Sequence, residues 1–271
     1  VVEVAGDAEV IAIQSVRHLL TREVITQLPH CRCMIRAGAG YDSIDYKAAT
    51  EYGIMVCNAP TYCTDDVADH AVALMLASVR HIPRLNAKMK EGEYARELAR
   101  PTRRVVGTTL GIIGLGRIGS TVSRRVSGWN MNVLAYDPYV DQDYADEFGA
   151  TLVDDLDTLL KEAHFITIHC PHTDDTYHML SEGEFARMRE GVIIVNAARG
   201  PIIDEEALIG ALREGRVWAA GLDVTEEEPL PSDSPLLEMD NVILTPHIAA
   251  NSEAAREDLY RLVCEISADV V

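Results

Sequence analysis

Short apolar runs alternate with helix-length amphipathic stretches along almost the whole chain, the pattern of parallel strands covered by helices. A first set comprises predicted strands at 10–13, 34–36 and 55–57 with helices at 21–28 and 45–52, a small α/β unit. Thr64 and Asp65 are placed to cap a helix whose body, 67–80, is apolar nearly all round. Such a helix is expected to be buried between two domains, which sets a boundary near Ile82. The Arg-rich stretch 88–104 predicts an exposed arm. From Thr109 the rhythm is regular, with strands predicted at 109–113, 132–136, 165–168, 192–196, 218–223 and 242–244, six strands of a doubly wound sheet. Helix starts are marked by Ser181 with Glu184 three residues on, and by Asp204 ahead of Glu205 and Glu206.

Composition narrows the function classes. The 271 residues carry 43 acidic and 24 basic side chains, a formal net charge of −19 that repels phosphate backbones and anionic lipid, so direct nucleic-acid binding is not expected. Lysine is confined to Lys47, Lys88, Lys90 and Lys161, a bias that fits either an acidic cytosolic enzyme or a salt-adapted host. The six cysteines include no C-x-x-C pair, and Cys31 with Cys33 beside His30 has the i, i+2 spacing of one strand face, so neither a metal nor a disulfide framework is expected. No signal peptide opens the chain, and the longest apolar stretch, 67–79, is too short to span a bilayer and contains Asp69 and His70. A cytoplasmic protein is expected.

The first chemistry-bearing motif is Gly114-Leu115-Gly116-Arg117-Ile118-Gly119, which follows an apolar strand and opens a helix. Its glycines permit a tight turn, close approach of backbone to a pyrophosphate, and close helix–strand packing, with the helix N-terminus facing the phosphates. The next strand ends in Asp137, eighteen residues after Gly119, where a carboxylate can accept hydrogen bonds from an adenosine ribose. An acid there, with no Arg immediately after it, favours NAD over NADP. The expected fold is thus α/β, a doubly wound Rossmann sheet over 83–249 plus a smaller flavodoxin-like α/β substrate domain over 1–82, with 250–271 returning as a helix toward the latter.

Three further segments close predicted strands: Asn196-Ala197-Ala198-Arg199-Gly200, Asp223-Val224-Thr225-Glu226-Glu227-Glu228-Pro229, and Thr245-Pro246-His247. They supply a guanidinium, a carboxylate and an imidazole. Reduction of a 2-keto acid needs those parts, to grip carboxylate and carbonyl oxygen, to orient and charge the imidazole, and to give the carbonyl its proton.

Together with Arg36-Ala37-Gly38-Ala39-Gly40-Tyr41-Asp42 and Asn58-Ala59-Pro60 upstream, these segments resemble the successive signatures of the D-isomer-specific 2-hydroxyacid dehydrogenases, over essentially the whole chain. The resemblance implies NAD as cofactor and a small 2-hydroxy or 2-keto acid as substrate. It implies that Arg199 binds substrate, Glu228 pairs with the imidazole and His247 is the acid/base, with Glu226 in reserve for Glu228. Backbone amides at Ala37, Gly38, Ala39 and Gly40 would cradle the substrate carboxylate. Cofactor contacts carry over to Ala39, the glycine turn with Arg117 and Ile118, Asp137, Cys170, Pro171, Thr176, Ala197, Asp223 for the nicotinamide carboxamide, and Ala250. His164, His169, His172 and His178 are read as structural or cofactor-adjacent. A homodimer through the arm after Ile82 is implied as well.

Two branches of the family are similar in different ways. The neighbourhoods of Arg117, Tyr136-Asp137-Pro138-Tyr139 and Ser252-Glu253 resemble the C-terminal-binding-protein branch, which includes NAD(H)-sensing corepressors. Ala250, however, lies where those place a tryptophan just after the catalytic histidine. Arg17 could instead meet the phosphate of 3-phosphoglycerate. Against the family pattern the chain is short at both ends, so the small sheet is expected to lack a strand.

Overall fold

The computed structural model describes residues 1–15 and 17–270, which divide into two compact units, Val1–Thr64 with Ala250–Val271 and Asp65–Ala249. The smaller unit holds three parallel strands, β1 (Val10–Ile13), β2 (Cys33–Arg36) and β3 (Met55–Asn58), in the order β1-β2-β3. Helix Glu253–Val270 packs on β1 and β2. Leu259 from that helix is buried with Ala37 and Ala59, which ties the returning segment to the loops after β2 and β3. Val16 and Val271 lie outside the described residues, and Arg17 beside the former is exposed.

The larger unit is built on seven parallel strands: β4 (Thr109–Ile113), β5 (Asn132–Tyr136), β6 (Thr151–Leu152), β7 (Phe165–Ile168), β8 (Val192–Asn196), β9 (Val217–Leu222) and β10 (Val242–Leu244). Their order is β10-β9-β8-β7-β4-β5-β6, with every pairing parallel. The chain runs outward from β4 in one direction, then returns to β4's other side and runs outward again. This is the doubly wound arrangement, and its switch point lies between β4 and β7. Period-two alternation divides each strand between two cores: along β8, Val192 and Ile194 enter one cluster, Ile193 and Val195 the other.

Three expectations change. The sheet has a seventh strand, β6, whose two residues leave no readable apolar run. The helix expected between two domains, Thr64–Val79, belongs to the larger unit, because Ala68, Ala71, Leu74, Met75 and Val79 share a core with Leu110, Ile112 and Ile193. The division therefore falls at Asp65 and not near Ile82. The expected arm is partly ordered, as helix Ile82–Lys90 and a short 3-10 turn, Arg96–Ala99. Ser181 and Glu184 form the expected capping box, and Asp204 caps its helix through Ala207 N. Among the described residues no helix is long and apolar enough to cross a membrane.

Candidate active site

The glycine turn joins β4 to helix Arg117–Val126 at the switch point. Gly114 has φ +90°, and a Cβ there would lie 2.5 Å from Cys170 N, so both its conformation and its neighbour demand glycine. A Cβ on Gly119 would lie 2.1 Å from Gly114 O, so this glycine lets the helix close on the turn. Gly116 differs: nothing lies within 4 Å of its would-be Cβ, and no side chain caps the helix it opens. Open space at uncapped helical amides is what a pyrophosphate requires.

Asp137, just past β5, accepts from Leu115 N at 2.8 Å and from Tyr139 N at 2.9 Å. A carboxylate has about four acceptor positions, so two bonds that fix its place leave capacity for ribose hydroxyls. These residues fit a dinucleotide. Arg117 is the first residue of the helix, whereas Ile118 is half-buried against the core.

On the other side of the switch, β7 runs into His169, Cys170 and Pro171. Burial pushes the Cys170 thiol up to about 12, which leaves it protonated and unreactive at neutral pH. The His169 imidazole is driven down to about 3 by the same cause, with one nitrogen 2.8 Å from Thr167 Oγ1. Thr176 spends its hydroxyl on the turn itself, donating to Pro171 O at 2.7 Å and accepting from Thr173 N at 2.8 Å. Its role in the structure is to shape the Cys170-Pro171 loop.

The catalytic candidates follow β8, β9 and β10. His247 Nδ1 lies 2.8 Å from Glu228 Oε2, with both side chains about three-quarters buried (27% and 24% exposed). Glu228 Oε1 also accepts from Thr225 N at 3.3 Å. Glu226, the reserve candidate, points elsewhere, with Oε1 2.8 Å from His178 Nε2. Arg199 directs Nη1 to Ala198 O at 2.7 Å, and half-buried Ala197 packs against a core cluster. Gly200 lies so close to Thr225 that a Cβ would sit 1.8 Å from its carbonyl oxygen. The Arg199 and Glu228 loops are therefore in backbone contact.

Asp223 serves the loop more than any open face. Only 1% exposed, it accepts from Ile248 N at 2.9 Å, from Ala249 N at 2.8 Å and from Thr245 Oγ1 at 2.6 Å, while its own carbonyl accepts from His247 N at 2.8 Å. His247 is held at φ +52°, a conformation unfavourable for a residue with a Cβ and sustained here by this web. His70 completes it from helix Thr64–Val79, 3.0 Å from Thr245 Oγ1 and 3.5 Å from Asp223 Oδ1. Sequence reasoning met His70 only as a polar break in an apolar run; a polar residue on a buried helix face was the available signal.

In the smaller unit, Ala37 N donates to Ile13 O at 2.9 Å and Gly38 N to Arg36 O at 2.8 Å, which narrows the expected four-amide cradle. Those two amides serve the fold, leaving Ala39 and Gly40 as the candidates. Ala39 O is held by Asn58 Nδ2 at 2.6 Å, and the buried Arg36 guanidinium folds back on Ala37 O beneath Gly38. Ala250 is grouped with the smaller unit and not with the glycine turn.

A doubly wound sheet with a glycine turn at its switch point and an imidazole–carboxylate pair at its carboxyl edge defines a dinucleotide-dependent oxidoreductase fold. Residues 72–249 match the family described as D-isomer specific 2-hydroxyacid dehydrogenase, NAD binding domain. The chain is 46% identical over 259 residues to a D-3-phosphoglycerate dehydrogenase of Methanocaldococcus jannaschii, covering 96% of this chain and 49% of that protein. It is 41% identical over 246 residues to a glyoxylate reductase of Korarchaeum cryptofilum, covering 90% and 74% respectively. A crystal structure of D-lactate dehydrogenase from Aquifex aeolicus, complexed with NAD and lactic acid, superposes with a TM-score of 0.90 at 32% identity, covering 98% of this chain and 84% of that one. The chain belongs to the D-isomer-specific 2-hydroxyacid dehydrogenase family, with NAD as the cofactor of its larger unit. It spans about half the length of the phosphoglycerate dehydrogenases it matches.

Proposed function

We propose that this protein is an oxidoreductase that moves a hydride between NAD(H) and a 2-hydroxy or 2-keto acid of D configuration. The observation that carries this reading is the 2.8 Å contact between His247 Nδ1 and Glu228 Oε2 at the edge where the glycine turn opens. Bound NADH supplies the hydride. Glu228 accepts a hydrogen bond from Nδ1–H and keeps the imidazole oriented and chargeable, which leaves Nε2 to give a proton to the carbonyl oxygen in reduction and to take it back in oxidation. Arg199 grips the substrate carboxylate through its planar guanidinium. Cofactor contacts fall to Gly114, Gly116, Gly119, Arg117 and Asp137.

Within that class the sequence likeness to phosphoglycerate dehydrogenases favours 3-phosphoglycerate as the hydroxy acid. We place the protein in the cytoplasm, in keeping with six free cysteines, and read it as a homodimer through the helix after His81. Exposed Ile82, Met89 and Tyr94 along that stretch support the second reading, which light scattering tests.

Stopped-flow oxidation of NADH against a panel of 2-keto acids, phosphohydroxypyruvate included, tests the function. Sustained turnover is expected, with His247→Ala or Arg199→Ala lowering kcat/KM by about 10²–10⁴-fold. Tight NADH binding without turnover would favour a redox-sensing binding protein, and full turnover by either variant would remove the mechanism.

A further inference from the structure

The acidic loop after β9 is held by two histidines, of which the function above uses one. Glu228 faces His247, and two residues earlier Glu226 faces His178. His178 is an unusual residue to find there. Its backbone sits at φ +48°, a left-handed conformation that L side chains adopt only when neighbours impose it. Its N–H donates to Pro201 O at 2.9 Å, two residues past Arg199. Its ring stacks on Tyr177, centroids 4.0 Å apart and planes 14° from parallel. Nε2 then lies 2.8 Å from Glu226 Oε1, with Asp204 Oδ2 3.8 Å from Nδ1.

Glu226 is correspondingly fixed at three points. Besides His178, its Oε2 accepts from Glu205 N at 3.2 Å and its own N donates to Glu205 Oε2 at 3.1 Å. Glu205 has its carboxyl pushed up by burial and by the nearby Glu226 and Glu227 charges. Backbone amides bridge Glu205 and Glu226 in both directions, and His178 is the side-chain donor to the remaining Glu226 oxygen.

We propose that His178 is a positioning residue that clamps the Arg199 loop to the Glu228 loop, one through its backbone and the other through its imidazole. The clamp rests on reading His247 and Glu228 as the acid/base pair. It works through placement: neither the ring nor Glu226 touches the pair, but the two carboxylates share one short loop that also packs directly on Gly200. Releasing Glu226 frees that loop to swing, and Glu228 then holds His247 Nδ1 only part of the time.

The test follows kcat and the KM for NADH on the full chain, with backbone amide exchange of residues 225–228 in parallel. His178→Leu removes the donor, whereas His178→Gln retains an N–H that reaches Glu226. The leucine variant is expected to lower kcat about tenfold with the KM for NADH unchanged and to speed exchange at 225–228 about tenfold, and glutamine should restore both. A leucine variant with the parent's kcat or the parent's exchange at 225–228 overturns the clamp, whatever its melting temperature, and so does a glutamine variant as impaired as leucine. If His178→Leu does not fold, Glu226→Ala removes the bond from the other side and must produce the same losses. A parent protein that binds NADH but reduces no keto acid would sink the proposed function while leaving the amide exchange to decide the clamp.

Discussion

The glycine turn and the candidate catalytic loops lie at the same edge of one sheet, yet they are built in opposite ways. The turn is made by backbone within six consecutive residues, and what matters is where a Cβ cannot go. The candidate loops are made by side chains that reach across the chain: Asp223 gathers 245, 248 and 249, Glu228 meets His247, and His70 arrives from a helix far upstream. A local motif can specify the first kind of site. The second exists only once the sheet has brought its strand ends together.

The contrast is most exposed at the glycines. Gly119→Ala forces a Cβ onto a backbone carbonyl and should cost about 3 kcal/mol or more, seen as a large drop in melting temperature. Gly116→Ala meets open space, so stability should stay within about 1 kcal/mol while NADH binding weakens about tenfold or more, measured by fluorescence titration. Equal melting losses in the two variants would erase the distinction between packing glycine and ligand glycine.

A side-chain site should fail more gradually. Asp223→Asn keeps the shape but turns one acceptor into a donor facing an amide N–H or the Thr245 hydroxyl, at a cost of about 1–3 kcal/mol. Amide exchange at 247–249 should speed up together with the loss of turnover. Lost turnover with unchanged exchange there would mean that Asp223 acts on the cofactor and not on the loop.

A pH-dependent effect concerns His169, which lies beside Gly114 of the glycine turn. Its folded imidazole protonates only near pH 3, while the unfolded chain takes that proton at the ordinary histidine value. Stability from this group is therefore complete above about pH 6.5 and drains away as pH falls toward the folded value, by at most about 1.4 kcal/mol per pH unit. Denaturant titrations between about pH 6 and pH 4 should show a shallower decline in His169→Gln. Parallel slopes would show that burial does not hold this ring neutral.

The same division explains what could be read before the fold was known. Strands such as 109–113 and 192–196 were legible because, buried at every position, they are apolar at all but one, Thr109 in the first and Asn196 in the second. The two-residue β6 was not, since so short a run has no period. Helix Thr64–Val79 showed its burial but not which core it joins, because an all-round apolar helix carries no directional stripe. Near the candidate active site, Glu226 and Glu228 lie two apart in one acidic run with identical side chains, and only the placement of His178 and His247 assigns each its partner. His178 itself stood out by nothing but being a histidine.

The larger sheet ends in its two shortest strands, Thr151–Leu152 and Val242–Leu244. Unpaired strand borders invite other chains to add on, and long flat ones template aggregates. Here each border offers too few free amides and carbonyls to hold an incoming strand in register. The sheet is thus self-limiting, with its seven strands terminated by brevity at both margins.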